Sequence, residues 1–432
     1  MDCCYSNINL KLVKFVSKPE IMSPAGDQVS LQTAINAGCD AVYFGVEGLN
    51  MRAAAKNFTV NDLPEISALC HKNNVKAYLT LNVIVYESEL ETANKILNAA
   101  KSAGIDAVIC WDFSVIQMAE KIGLPIFLST QMSVSNSESL VFFYKKLGIK
   151  RFVLARECSL DDIIKIQEKM REILGKESEK IEIEVFVHGA MCVSVSGRCF
   201  LSQNQFGKSG NRGECVQPCR REYLITDKEE EFSFRLGNNY ILSPKDLCTL
   251  PFIEKLIEAG ISSFKIEGRN RNPEYVSTVT AAYRKAVDFY FANKTNKNFV
   301  EEFEFFKKEL VTELEKVYNR GFSTGFFLGK PVDEWTKKYG SSSTTFKLYS
   351  GTVKKYFRKA GVAEIKIENE EFIKGDEIIF QGATTGSHSQ IAGSIEIEHQ
   401  QIQTAGRGQL VAVKTSLRVR PNDRVFVVRK RK

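Results

Sequence analysis

The sequence predicts an α/β fold: a closed (β/α)8 TIM-type barrel with a cysteine-rich insertion between its seventh and eighth strands, followed by a small C-terminal antiparallel β-barrel domain. Three observations predict it. A short β-rich apolar run, a turn and an amphipathic helical segment recur through eight runs between Glu20 and Arg269. Five of the eleven cysteines fall between the last two runs. From about Thr345 the texture changes to short alternating strands and turns. Eight β/α units of this length close naturally into a barrel, with an open doubly wound sheet as the competing architecture.

The eight runs cover residues 20–26, 40–45, 75–82, 106–111, 126–131, 151–157, 181–189 and 263–269. Segments between them, such as VSLQTAINAG and ELETANKILNAAKSAG, place apolar residues at three- and four-residue spacing. Most stop at a glycine, the residue that best tolerates the left-handed turn closing a helix. Two more amphipathic segments, within NPEYVSTVTAAYRKAVDFYFANK and VEEFEFFKKELVTELEKVYNRGF, are suited to covering the barrel. The expected domain plan is an N-terminal extension over 1–19, the barrel over 20–335 with its insertion at 190–250, and the β domain over 345–432.

At 432 residues the chain exceeds one average core. Its opening, MDCCYSNINLKLVKFVSKPE, is broken by charges, and no stretch approaches the length of an uninterrupted apolar span. The expectation is a cytoplasmic protein with no membrane partner. An odd number of cysteines without a secretory signal fits a reducing compartment, where thiols stay free or bind metal. The formal charge of +7 is modest for this length, but the last fifteen residues carry seven basic side chains against one acidic. Such a tail either tracks a phosphate backbone or is simply solvated.

Thiolates are soft ligands, and several from one loop suit tetrahedral zinc or an iron–sulfur cluster. Six residues separate Cys192 from Cys199, fifteen Cys199 from Cys215, three Cys215 from Cys219, and twenty-eight Cys219 from Cys248. Zinc modules usually present two short knuckles, and only Cys215 with Cys219 could form one, so the uneven spacing favours a cluster. Gly189, Gly197, Gly207, Gly210 and Gly213 allow tight turns between these cysteines. Cys39, Cys70, Cys110 and Cys158 lie in helical or strand patterns and read as core thiols, while Cys3 and Cys4 lie in the terminus.

In a barrel of this kind the chemistry sits where strands end. The run ends are polar: Asn82, Gln131, Arg156, Glu157, His188, Glu267 and Arg269, with Arg52 following the second run. Period-two alternation puts Lys265, Glu267 and Arg269 on one face of the eighth run, and Thr80 with Asn82 on one face of the third. These are candidate ligand groups, with a structural ion-pair network at the rim as the alternative. Only four histidines are present (His71, His188, His388, His399), and no HExxH, GxSxG, GxGxxG or Walker-type motif occurs.

The cysteine stretch resembles the collagenase-like peptidase family U32. The residues that carry the resemblance are Glu184 and Phe186, Gly189 and Cys192, Gly197-Arg198-Cys199, Gly213 through Arg220 (GECVQPCR), and Ser243 through Cys248 (SPKDLC). It extends to Ser23-Pro24-Ala25-Gly26, Asp40 through Gly45, Leu154 through Glu157, and Phe264 through Arg269. Members with this barrel and β domain look like the tRNA hydroxylation proteins, which help form 5-hydroxyuridine at the wobble position with prephenate as hydroxyl source. Others act on ribosomal RNA or a quinone precursor. The resemblance implies an oxygen-independent hydroxylation involving a [4Fe-4S] cluster. Cys192, Cys199, Cys215 and Cys248 are the closest match to the ligand set of the quinone-pathway branch, with Cys219 as the alternative ligand.

On that reading Arg52, Arg156 and Arg269 hold a small dicarboxylate, Asn82, Gln131 and Lys265 help to bind, and Glu157, His188 or Glu267 moves protons. The expected partners are tRNA, the dicarboxylate co-substrate, and iron–sulfur assembly or accessory proteins. Proteolysis and a non-catalytic iron–sulfur RNA-binding module are the alternative functions.

Overall fold

The computed structural model describes residues 17–53, 56–223, 240 and 242–431. The extension expected over 1–19 therefore lies, up to residue 16, outside the described residues, and Cys3 and Cys4 with it.

Eight parallel strands form the barrel: β1 (Glu20–Pro24), β2 (Ala41–Phe44), β3 (Lys76–Thr80), β4 (Ala107–Cys110), β5 (Ile126–Leu128), β6 (Arg151–Val153), β7 (Glu182–Gly189) and, after an intervening β8 (Asp246–Cys248), β9 (Ser263–Ile266). Strand β9 pairs with both β7 and β1, which closes the ring. The helices between strands are α1 (Gln28–Asn36), α2 (Leu63–Lys72), α3 (Leu90–Ser102), α4 (Phe113–Lys121), α5 (Ser137–Leu147) and α6 (Leu160–Leu174), then the short α7 (Leu201–Phe206) and α8 (Ile253–Glu258). Their ends follow local chemistry. Asp27 accepts from the Ser30 amide at 2.8 Å to start α1, Ser159 and Asp162 form a capping box on α6, and Gly148 closes α5 at φ 62°.

β8 was not anticipated, because a three-residue DLC run carries too little pattern to register as a strand. It lies antiparallel against the end of β7, with His188 opposite Cys248, and parallel to β10 (Phe322–Ser323), so it extends the sheet beyond the ring. Covering helices α9 (Pro273–Asn293) and α10 (Phe299–Lys316) pack through stacked Phe289, Phe303 and Phe306.

The barrel interior is small and partly ionic. Met22, Ala41, Tyr43, Tyr78, Ala107 and Ile109 form its apolar layer. Beside it Arg151 contacts Glu20 at 2.8 Å and Glu184 at 3.4 Å, and Lys265 Nζ donates to Glu184 Oε1 at 2.7 Å. Buried charges persist only when paired in this way, so Glu184 fixes Lys265 beneath the open end of the barrel.

The C-terminal residues form a two-stranded antiparallel pair, Phe372–Ile373 with Thr404–Ala405, and an eight-stranded antiparallel sheet around a core that includes Val353, Ile365, Phe380, Val413 and Val425. Its outermost strands, Gly386–Ile391 and Gln400–Gln401, do not pair with each other. The sheet docks on the barrel where the Ser387 amide donates to Thr33 Oγ1 at 2.8 Å and Lys347 meets Glu274 at 2.9 Å. Among the described residues no helix is long and apolar enough to cross a membrane.

Candidate functional site

The C-terminal ends of the strands surround a cavity whose wall includes Tyr43, Arg52, Thr80, Asn82, Gln131, Arg156, Phe186, Cys192, Lys265, Glu267 and Arg269. The pleat aims Tyr43, Thr80, Phe186 and Lys265 inward from β2, β3, β7 and β9. Tyr43 and Phe186 were missed because both sit in apolar runs, yet the alternation that selected Thr80 and Lys265 would have found them.

Arg269 follows β9 and is buried. Its Nη1 donates to Thr80 Oγ1 at 2.7 Å and Asn50 Oδ1 at 3.1 Å, while Nε has no partner. Two glycines make room for it: a Cβ on Gly26 would lie 2.0 Å from the Arg269 carbonyl oxygen, and one on Gly45 would lie 2.9 Å from Nη1. Burial lowers its pKa to about 10, so it remains a cation at neutral pH. Arg156 lies with its guanidinium 4.0 Å from the Phe186 ring centroid and donates from Nη1 to the Ala190 carbonyl at 2.7 Å; its Nε is also buried and unpaired.

Arg52 and Lys265 are neutralised differently, by Glu267 at 2.6 Å and Glu184 at 2.7 Å. Among the described residues neither Arg156 nor Arg269 has a carboxylate at salt-bridge distance. The cavity therefore carries two guanidinium groups suited to an anion with two acidic groups.

Glu267 is a carboxylate rather than an acid. Burial would raise its pKa, but Arg52, then Arg156 and Arg269, hold it at about 2 against an ordinary 4.5. A carboxyl depressed on folding stabilises the native state fully above its unfolded pKa, and that stabilisation is lost as pH falls through the folded one. Glu267→Gln is expected to lose stability on the order of 3 kcal/mol at neutral pH, with the difference from wild type shrinking between pH 4.5 and 2. Denaturant unfolding at a series of pH values checks this.

Two of the three expected proton carriers lie outside the cavity. Glu157 is exposed in the turn after β6 and lines no part of it. His188 is buried outside the ring, its centroid 5.7 Å from Tyr283, 5.9 Å from Tyr275 and 5.6 Å from Phe322. Burial, reinforced by Arg271, lowers its pKa to about 3, so it is a neutral packing group. Asn82 and Gln131 do line the cavity, where Asn82 Oδ1 accepts from the Met51 amide at 3.2 Å and the Gln131 side chain accepts from Ser129.

The cysteine loop covers one side of this mouth. Cys192, Ser196 and Gly197 line the cavity, and a Cβ on Gly197 would lie 2.6 Å from Gln131 Cγ, so the loop packs tightly there. Burial raises the Cys219 pKa and Arg220 lowers it, while Cys192, Cys215 and Cys199 each raise it through their own charge; a Cβ on Gly210 would lie 3.5 Å from the Cys199 carbonyl oxygen and 3.8 Å from Cys215 Sγ. Gln217, at φ 55°, turns its amide onto Cys215 Sγ at 3.4 Å, and Asn211 Oδ1 accepts from the Cys199 amide at 2.8 Å. Arg220 ties the loop down by donating to the carbonyls of Met191 and Pro244.

Cys248 stands apart from this group. It is buried on β8, bonded to Tyr283, and burial pushes its thiol up to about 12. Of the two candidates for the fourth ligand, Cys219 lies in the cysteine loop and Cys248 in a strand of the sheet. Among the described residues no three His, Cys, Asp or Glu side chains converge closely enough to chelate a single ion.

None of the four histidines lines the mouth. The profile described as Peptidase family U32 matches residues 26–337. The chain belongs to peptidase family U32. Within the family, it is 41% identical over 415 residues to a Porphyromonas gingivalis protein named collagenase, covering 95% of this chain and 98% of that one. It is 35% identical over 408 residues to a tRNA hydroxylation protein of Bacillus subtilis, covering 93% and 92%. With a 23S rRNA 5-hydroxycytidine synthase of Escherichia coli it shares 33% over 314 residues, covering 72% and 45%.

Proposed function

We propose that this U32 protein is a cytoplasmic RNA-modifying enzyme that hydroxylates a pyrimidine, specifically the wobble uridine of tRNA to 5-hydroxyuridine. The observation that carries the reading is a pair of guanidiniums without a carboxylate at salt-bridge distance, buried Arg269 and half-buried Arg156, each with a buried unpaired Nε, opening on a cavity that the cysteine loop walls. A small dicarboxylate, with prephenate as the hydroxyl donor, binds there by forked charge-assisted hydrogen bonds. Arg52 and Glu267 hold each other and set the rim. Lys265, above Glu184 and 4.6 Å from the Tyr43 centroid, orients the donor from the cavity floor.

The thiol group of Cys192, Cys199, Cys215 and Cys219 suits a [4Fe-4S] cluster. Its donors are soft, an amide already points at Cys215 Sγ, and Arg52 and Arg220 offset thiolate charge at Cys192. Bound there, the cluster supplies electrons beside the cavity. The chain's own groups bind the donor, exclude water and present the base, which leaves its loop to enter. Iron–sulfur assembly proteins are the implied accessory partners.

The test is nucleoside mass spectrometry of tRNA and ribosomal RNA from a strain lacking the gene, beside its parent. Loss of 5-hydroxyuridine derivatives from tRNA is the expected result. Loss of a ribosomal mark instead moves the substrate, and no change in a strain without a paralogue overturns the reading. The similarity to a protein named collagenase favours proteolysis as the second reading. That reading requires the purified protein to cleave gelatin and to lose the activity on a point change in the mouth.

A further inference from the structure

The rim of the mouth carries side chains that neither the donor cavity nor the thiol group uses. Phe200 is 66% exposed, Tyr86 55% and Phe206 40%, although rings of this size are ordinarily kept from water. They belong to one surface. Phe200 and Phe206 bracket α7 on the cysteine loop, and Tyr86 lies in the loop after β3, fastened to the cysteine loop by Arg212. Arg212 lies 4.6 Å from the Tyr86 centroid and is held there by the Ile84 carbonyl and Glu89; Arg221 lies 4.6 Å from the Phe206 centroid.

The charge of this surface is one-sided. Over residues 190–223 the loop carries Arg198, Lys208, Arg212, Arg220 and Arg221 against Glu214 and Glu222. The centre of a protein–protein interface is depleted of charge, whereas open rings interleaved with guanidiniums are the means of holding unpaired nucleotides. Position agrees with this chemistry. Phe200 is three residues beyond Gly197, which lines the cavity, so a strand held on the rim delivers its next base to the mouth.

We propose that Tyr86, Phe200 and Phe206, with Arg212 and Arg221, form a stacking platform for an unpaired RNA loop, which presents the reacting pyrimidine to the cavity. This rests on the RNA-hydroxylation reading and adds the surface that receives the RNA. The platform holds bases by their faces and so discriminates unpaired from paired RNA, while the choice of base is left to the cavity.

The test uses the full chain, purified anaerobically, and fluorescence anisotropy with two probes: a labelled RNA hairpin with a uridine-containing loop, and a fully paired RNA duplex of equal length. Phe200→Ala and Tyr86→Ala should each weaken hairpin binding roughly tenfold and leave duplex binding unchanged. Phe200→Leu keeps the apolar bulk without the ring and should lose nearly as much, whereas Phe200→Trp should bind at least as tightly as wild type. Unchanged thermal unfolding and iron content in these variants establish that the loop is intact. Hairpin affinity unchanged in the Ala and Leu variants overturns the platform, as does an equal loss for hairpin and duplex. If wild type still forms hydroxylated nucleoside in that case, only the platform fails; wild type that forms none refutes the functional reading instead.

Discussion

On the proposed cluster reading, Cys219→Ser is expected to lose most of the iron of anaerobically purified protein, and Cys248→Ser to keep it. Cys219 lies in the same loop as Cys192, Cys199 and Cys215, and the segment between Cys215 and Cys219 is already bent by the left-handed Gln217. Cys248 is part of β8, paired opposite His188 on β7 and bonded to Tyr283 on α9. To reach the other thiols it would have to leave two strands and a helix, and the hydrogen bonds that join them. Cys248→Ser should therefore cost stability instead, roughly 1–3 kcal/mol for a hydroxyl placed in an apolar site. Iron and sulfide analysis with the visible absorption spectrum reads the first effect, and thermal unfolding the second. If iron is retained in Cys219→Ser and lost in Cys248→Ser, β8 carries a ligand and the grouping argued above is wrong.

The sequence displays the barrel well because a buried parallel strand is a short apolar run, and all eight ring strands have one. The same period-two logic fails where the strand stops being regular. Glu184 and Phe186 face inward, and simple alternation sends His188 inward as well. The register against β9 instead runs from Phe186 opposite Lys265 to His188 opposite Ile266, two residues against one. This bulge turns His188 onto the outer face, where Ile266 also packs. Glu157 fails for a related reason. β6 ends at Val153, so alternation carries no information four residues later, and the turn brings Arg156 to the cavity while Glu157 faces solvent. Arg269 was legible because it continues the alternation of Lys265 and Glu267, and Gly45 leaves room for its guanidinium while Gly26 leaves room for its carbonyl. Spacing alone says nothing of the different settings of Cys219 and Cys248, since β8, which holds Cys248, joins the sheet only through tertiary pairing.

Arg156→Ala and Arg269→Ala are expected to lower kcat/KM for a dicarboxylate donor by roughly tenfold to a hundredfold each, the worth of a charge-assisted hydrogen-bond pair. The loss has a signature that damaged folding would not produce. Each wild-type guanidinium lacks a carboxylate at salt-bridge distance and has a buried unpaired Nε, so a donor with two acidic groups satisfies both, while a donor with one leaves one of them unsatisfied. Wild type should accordingly prefer a dicarboxylate to its monocarboxylate analogue, and each single variant should lose most of that preference because one cation remains. Lysine is a poor substitute at either place. A point ammonium cannot form the fork, and at residue 269 it would also have to satisfy Thr80 and Asn50, which now share one guanidinium nitrogen. Donor binding measured without RNA, by calorimetry on wild type and both variants, separates this from any effect on the base. Variants that discriminate between the two donors as wild type does would show that the two arginines serve the barrel rim and that the anion binds elsewhere.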